Sequence, residues 1–144
     1  MVKQHFNILI NASKEKIWDI LLGADTYTQW TTPFAPGSVA VTDWKKGSKA
    51  LFTDGSGMGM VSEIVEHIPN EFLSIKHKGM IKDGVEDVES KEATQCAGFE
   101  NYTLKRKGDQ TEWLIDVDAA EEYLDYFTNT WPKAMAIVKE LAEK

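Results

Sequence analysis

The chain has 144 residues, 42% of them hydrophobic, and its 23 acidic and 16 basic side chains give a formal net charge of −7 at pH 7. No Pro/Gly-rich or Ser-rich linker divides it, so length and composition predict one domain over residues 1–144 with a core of ordinary size. The negative charge argues against nucleic acid and anionic membrane surfaces as partners, because both repel an acidic protein.

Cysteine content and hydropathy narrow the class further. Cys96 is the single cysteine and cannot form a disulfide within the chain, and the N-terminus lacks the apolar stretch of a signal peptide. We therefore expect a cytoplasmic protein. No uninterrupted apolar run approaches the roughly 20 residues that a membrane-spanning helix needs.

The first thirty residues predict a strand followed by two helices. Lys3 to Ile10 is strand-like, and Ser13 then offers an N-cap with Glu15 in the first turn, where the helix dipole favours a carboxylate. Apolar residues recur at three- and four-residue intervals up to Gly23, which ends the helix. Residues 24–30 predict a second, short helix.

A first hairpin is predicted in the middle of the chain. Residues 58–67 and 72–78 have strand composition and flank a turn at Pro69-Asn70. That turn sets two pairs of residues opposite each other: Ile64 with Ile75, and Ser62 with His77. The preceding segment "DGSGMGM" lacks the lysine and the following helix of a phosphate-binding loop, so it predicts a turn between strands.

A second hairpin follows, with a cleaner pattern. Residues 99–106 and 111–117 flank the turn residues 107–110. The resulting cross-strand pairs are Tyr102 with Ile115 and Leu104 with Trp113. Glu100 falls on the same apolar face, where a carboxylate must be desolvated, neutralised or paired. Between the hairpins, the acid-rich residues 79–97 predict a long loop that acts either as a lid or as a solvated connector.

The last segment, Ala120 to Glu143, predicts the longest helix, about 35 Å at 1.5 Å per residue. Its apolar stripe at helical spacing comprises Tyr123, Leu124, Phe127, Trp131, Met135, Val138 and Leu141. Pro132 interrupts it and predicts either a kink or a fresh helix start with Thr130 as cap. The order of elements indicates an α+β fold.

Five blocks carry a resemblance to a known family: "INASKEKIWDIL", "DWKKGSKALF", "MGMVSEIVEHIPNEFLSIKHKG", "ENYTLKRKGDQTEWLIDVD" and "FTNTWPKAMAIVKELAE". Their order resembles the START-like (SRPBCC, helix-grip) superfamily, and they are most similar to the family of activators of the heat-shock protein 90 ATPase. The resemblance implies a curved antiparallel sheet of about six or seven strands around a long C-terminal helix, with two short helices after the first strand. It also implies a cavity between helix and sheet. Four residues are expected to border or plug its end: Ile17, Trp18, Leu21 and Trp30.

We expect eleven residues to line this cavity: Met58, Met60, Ser62, His77, Glu100, Tyr102, Trp113, Ile115, Phe127, Trp131 and Met135. Met80 is a further candidate. Methionines and aromatic rings suit an apolar ligand of irregular shape, although the same residues also fill ordinary cores.

The candidate chemistry is sparse. His5, His67 and His77 lie in separate strands without a metal-binding spacing, so no metal and no cofactor are predicted. Ser62 lies opposite His77 but lacks a nucleophile-elbow context and an acidic third member, which argues against hydrolysis. Cys96 lies among acidic residues, which predicts a raised thiol pKa and a bystander role.

The sequence therefore predicts a protein that binds a small hydrophobic ligand, with no catalysis assigned. Two alternatives stay open. One is a co-chaperone role, in which a surface contacts a chaperone. The eukaryotic activators have a further N-terminal domain, and we expect this chain to have no room for one, which argues against this role. The other is a polyketide cyclase or dehydratase that uses Glu100 and His77 as acid and base. Fold alone does not decide among them.

Overall fold

The computed structural model describes all of residues 1–144. One antiparallel sheet has the strand order β1-β8-β7-β5-β4-β3-β2, and β6 pairs with β5. The strands are β1 (Val2–Ile10), β2 (Val39–Val41), β3 (Lys49–Thr53), β4 (Gly59–Ile68), β5 (Phe72–Lys82), β6 (Val85–Asp87), β7 (Gly98–Lys107) and β8 (Gln110–Ala119). The helices are α1 (Lys14–Leu22), α2 (Ala24–Trp30), α3 (Lys91–Gln95) and α4 (Leu124–Glu143), with a 3-10 turn over Glu121–Tyr123. The fold is the predicted α+β helix-grip fold, with eight strands instead of six or seven.

Helix α1 begins and ends where the sequence predicts, although Gly23 ends it for a different reason. The Ser13 side chain accepts a hydrogen bond from the Lys16 backbone N–H at 3.1 Å, as an N-cap does. Gly23 has a φ of −67°, outside the left-handed region that usually selects glycine at this position. A Cβ on Gly23 would lie 2.6 Å from the Asp19 carbonyl oxygen, so close packing between α1 and α2 is what requires the glycine.

Both predicted hairpins form with the predicted register. Ile64 pairs with Ile75 and Ser62 with His77 in β4–β5, while the β7–β8 pairs likewise match. The β4–β5 ladder contains two irregularities that leave Val65 and Lys78 without cross-strand partners. Such bulges exchange the two faces of a strand, which explains why residues with the same parity do not all face the core.

The prediction of a long loop over residues 79–97 is wrong. Strand β5 continues to Lys82, a tight turn follows, and β6 then pairs back along β5 beyond the end of the β5–β7 ladder. A Cβ on Gly79 would lie 2.2 Å from the Asp87 carbonyl oxygen, so this glycine permits the close return of the chain. Helix α3 packs its buried Ala93 near β5. The charged composition reflects the exposed sides of short elements.

Helix α4 is continuous over 20 residues, with Pro132 inside it. The expectation of a fresh helix start with Thr130 as cap is wrong, because the Thr130 hydroxyl donates to the Tyr126 carbonyl at 2.6 Å within the helix. Pro132 lies on the exposed side of α4.

The main core lies between the sheet and the helices α1 and α4. Helix α4 contacts β1, α1 and α2, and 20 buried residues form one hydrophobic cluster there. None of the helices combines the length and apolar character required to cross a membrane.

Candidate functional site

A cavity of about 370 Å³ lies beneath the N-terminal half of α4, bounded by α2, β3, β4 and the strands β7 and β8. Of its 26 lining residues, 17 are hydrophobic. Its volume and lining are those of a small-molecule site, since such sites typically have about 300–1,000 Å³ and apolar walls with a few polar groups. Nine aromatic residues contribute to the wall: Tyr27, Trp30, Phe34, Phe52, Tyr102, Tyr123, Tyr126, Phe127 and Trp131.

The structure places seven of the eleven residues expected at the cavity along its wall. These are Met58, Met60, His77, Glu100, Tyr102, Phe127 and Trp131. Met58 immediately precedes β4 and the others come from β4, β5, β7 and α4, so four separate elements converge on one space. Met80, the further candidate, does not line the cavity although it pairs directly with Met60.

The other four expected residues do not line the cavity, and their placement there is corrected. Trp113, Ile115 and Met135 are buried in the core, and Ser62 lies behind His77, with only 1% of its surface exposed. The reason is the position of α4: its C-terminal half, which includes Met135, rests directly on the core, so space is left only under its N-terminal half.

The tryptophans of α1 and α2 lie in different places: Trp30 is at the cavity and Trp18 is at His67. Of the four residues expected to border or plug the end of the cavity, Trp30 lines it, whereas Ile17, Trp18 and Leu21 do not line it and are buried in the core. The Trp18 indole N–H instead donates to His67 Nε2 at 3.0 Å. His67 Nδ1 in turn donates to the Trp44 carbonyl oxygen at 2.7 Å. This histidine is therefore a structural link between α1 and the β2–β3 connection.

A polar network crosses three adjacent strands at one side of the cavity. Ser62 Oγ lies 2.6 Å from His77 Nδ1, and His77 Nε2 lies 3.0 Å from Glu100 Oε1. The Tyr102 hydroxyl donates to Glu100 Oε2. The Glu100 carboxylate is thus paired, as the sequence required of a carboxylate on an apolar face.

The network combines a serine, a histidine and a carboxylate. The serine is nevertheless unsuited to act as a nucleophile, because it lies behind the histidine and not at the cavity. The side chains of His77 and Glu100 are 11% and 17% exposed, and both line the cavity. Ser62 does not line it, so its hydroxyl orients the imidazole from behind. The network groups that a ligand would meet are those of His77, Glu100 and Tyr102.

The tyrosines around Glu100 are held in their neutral form. Burial raises the pKa of Tyr27 far above its ordinary value, and the charge of Glu100 adds to the effect. Burial likewise raises the pKa of the Tyr102 hydroxyl, and the neighbouring Glu100 carboxylate raises it further. Both phenols therefore stay hydrogen-bond donors across the physiological pH range.

Several wall residues were not predicted. Tyr27 on α2, Phe34 after it and Phe52 on β3 contribute rings to the cavity. The pairing of β5 with β7, which sets Ile75 opposite Glu100, was also not predicted. His77 lies two residues after Ile75 on β5, so this register puts it on the same face as Glu100 and diagonal to it. A prediction of the strand order would therefore have identified their contact.

Cys96 lies at the cavity wall. Burial raises the pKa of its thiol, and the carboxylates of Glu92 and Glu122 raise it further. The predicted direction of the shift is confirmed, with burial as its larger cause. No group of three or more histidine, cysteine and acidic side chains is placed to hold a metal ion.

Comparison with solved structures shows the same fold in proteins of low sequence identity. A crystal structure of a Mesorhizobium loti protein is 13% identical, with a TM-score of 0.77 and coverage of 97% of this chain and 96% of that one. The Aha1 dimer from Colwellia psychrerythraea is 20% identical, with a TM-score of 0.73 and coverage of 99% and 97%. CalU16 from Micromonospora echinospora is 13% identical, with a TM-score of 0.69 and coverage of 97% and 75%.

No curated protein sequence matches the chain. Sequence identities of this size establish the fold and leave the activity open. A model of the family described as Activator of Hsp90 ATPase homolog 1-like protein matches residues 11–143. Nearly the whole chain is matched, and the protein belongs to this family.

Proposed function

We propose that the protein binds a small hydrophobic molecule in the cavity between the sheet and α4. The observation that carries the proposal is the volume of about 370 Å³ with its 17 hydrophobic lining residues. Ordinary protein cores leave few voids larger than a water molecule. An apolar space of about 370 Å³ therefore exceeds a packing defect and is suited to a bound ligand. His77 and Glu100 would then orient the polar end of the ligand.

A neutral fluorescent probe, N-phenylnaphthylamine, tests this proposal. Trp30 and Trp131 line the cavity, so a bound probe will quench tryptophan emission and gain fluorescence of its own. Met60→Trp, which fills the cavity from β4, is expected to abolish binding. Ile68→Trp is the matched control, because Ile68 lies on the same strand but is exposed at its end. An intact fold without probe binding at high micromolar protein would remove the proposal.

A second candidate is acid–base catalysis on the bound molecule, as in a polyketide cyclase or dehydratase. The distance of 3.0 Å between His77 Nε2 and Glu100 Oε1, with both side chains on the cavity wall, favours it. Such a pair can take a proton from a carbon next to a carbonyl group and return it.

The exchange of α-protons tests the catalytic candidate without knowledge of the natural substrate. A bound decanone in deuterated buffer is expected to exchange these protons faster with the protein than with the His77→Gln variant, as followed by NMR. Equal rates would remove the catalytic candidate and leave ligand binding in place. A co-chaperone role is supported by family membership alone and stays a prediction.

A further inference from the structure

The residues of the cavity wall carry more acidic than basic groups, the basic ones being the His77 imidazole and the α-amino group of Met1. The wall includes three carboxylates, Asp54, Glu100 and Asp118, and no lysine or arginine. All three have partners within the chain: Asp118 pairs with Lys3 at 3.2 Å, Asp54 accepts hydrogen bonds from Ser56 at 2.5 and 2.9 Å, and Glu100 contacts His77 and Tyr102. Only the partners of Glu100 line the cavity themselves, so Glu100 is the carboxylate whose surroundings a ligand would share.

No lysine or arginine pairs with Glu100, whose side-chain contacts are with His77 and Tyr102. His77 Nε2 faces the Glu100 carboxylate, and His77 Nδ1 faces the Ser62 hydroxyl. Tyr102 contributes a neutral hydroxyl donor. A carboxylate offers about four lone-pair positions, so two remain for a ligand at the cavity side.

Aromatic rings line the same cavity as this carboxylate. The Phe52 ring centroid lies 6.0 Å from the His77 ring, and the Tyr27 ring centroid lies 6.2 Å from that of Phe52. Trp30 and Tyr102 continue the cluster, with their ring centroids 6.3 Å apart. Aromatic faces attract cations, and more strongly where water is excluded.

We propose that the cavity selects an apolar molecule with an ammonium head group, which Glu100 and the aromatic rings of the wall bind, and discriminates against a fatty acid. The inference rests on the proposed function and adds the charge of the ligand to it. A fatty-acid carboxylate would meet Glu100 with no lysine or arginine side chain on the wall to compensate, and like charges in a site of low polarity repel.

Three probes of equal chain length test the inference: decylammonium, decanol and decanoate. Their affinities are measured by displacement of N-phenylnaphthylamine at pH 7, below the concentrations at which they form micelles. We expect decylammonium to bind at least about tenfold more tightly than decanoate, with decanol between them.

The variant Glu100→Gln should remove most of this preference and leave the affinity for decanol within about twofold. Glu63→Gln makes the same change in net charge at a residue that pairs with Lys78 and does not line the cavity, so its preference should equal that of the wild type. This control separates the cavity from general attraction of a cation to an acidic protein.

Each outcome has a distinct meaning. Equal binding of the three probes, tighter binding of decanoate, or a preference unchanged by Glu100→Gln overturns the inference and leaves the proposed function standing. Binding of none of the probes, including N-phenylnaphthylamine, overturns both.

Discussion

The polar network of Ser62, His77, Glu100 and Tyr102 joins three strands whose other inward residues are apolar. Each member satisfies a neighbour that would otherwise be buried without a partner, and an unsatisfied buried polar group costs about 1–3 kcal/mol. The network is therefore stable as a unit, with His77, Glu100 and Tyr102 on the cavity wall and Ser62 behind them.

The tyrosine beside this network predicts a loss of stability at alkaline pH. The pKa of Tyr27 is raised in the folded protein, so its contribution is complete below the unfolded-state value of about 10 and is lost as the pH rises toward the folded-state value. The free energy of unfolding should fall above about pH 10, and less so in Tyr27→Phe.

Urea denaturation at several alkaline pH values measures this difference. Tyr123→Phe is the matched control, because Tyr123 also lines the cavity but its residue surface is 44% exposed. If Tyr27→Phe lost stability with pH as steeply as the wild type, the charge and burial assigned to Tyr27 would be wrong.

Single residues were predictable where a local pattern fixes them. The N-cap at Ser13 and the presence of Glu100 on an apolar strand face follow from the chain itself. The contact between Glu100 and His77 does not, because it depends on which strands become neighbours in the sheet. Tyr27 on α2 and Phe52 on β3 were missed because their position at the cavity likewise depends on which elements become neighbours in the fold.

At the scale of elements, α4 has two parts with different roles. Its C-terminal half packs Met135 and Val138 into the core, while its N-terminal half presents Tyr126 and Phe127 to the cavity. Trp131 lies at the junction: it lines the cavity, yet only 3% of its surface is exposed.

Trp131→Ala should lower the free energy of unfolding by about 3–5 kcal/mol, as large aromatic truncations in cores do. The ring of Trp131 packs against Phe34 at 4.8 Å between centroids, and its indole N–H has no hydrogen-bond partner to lose. Thermal or urea denaturation measures the change.

Phe127→Ala is the control, one helical turn earlier on the cavity side. It removes a less buried ring and should have a clearly smaller effect. A loss below about 1 kcal/mol for Trp131→Ala would mean that α4 is not held against the sheet as described.

The periodicity of the chain predicted the type of most elements and the register of two hairpins. It did not show which half of α4 rests on the core, since the apolar stripe runs along both halves without a break. Nor did it reveal β6 and α3, because three- and five-residue elements with exposed, charged sides carry little periodic signal.

At the scale of the whole molecule, the cavity exists because the sheet and α4 separate toward one end. Helix α1 fills the other end, where Ile17 and Leu21 are fully buried. This arrangement was expected from the resemblance to the helix-grip superfamily, and no local pattern alone predicted it. Family membership and fold leave the occupant of the cavity as the central question.

The five methionines provide the most direct measurement of that occupant's position. Met1, Met58 and Met60 line the cavity, whereas Met80 and Met135 do not. In protein with ¹³C-labelled methionine methyl groups, titration with N-phenylnaphthylamine should shift the three cavity signals and leave the other two nearly unchanged. A shift confined to Met80 and Met135, or no shift at saturating probe, would contradict the proposal that an apolar ligand binds between the sheet and α4.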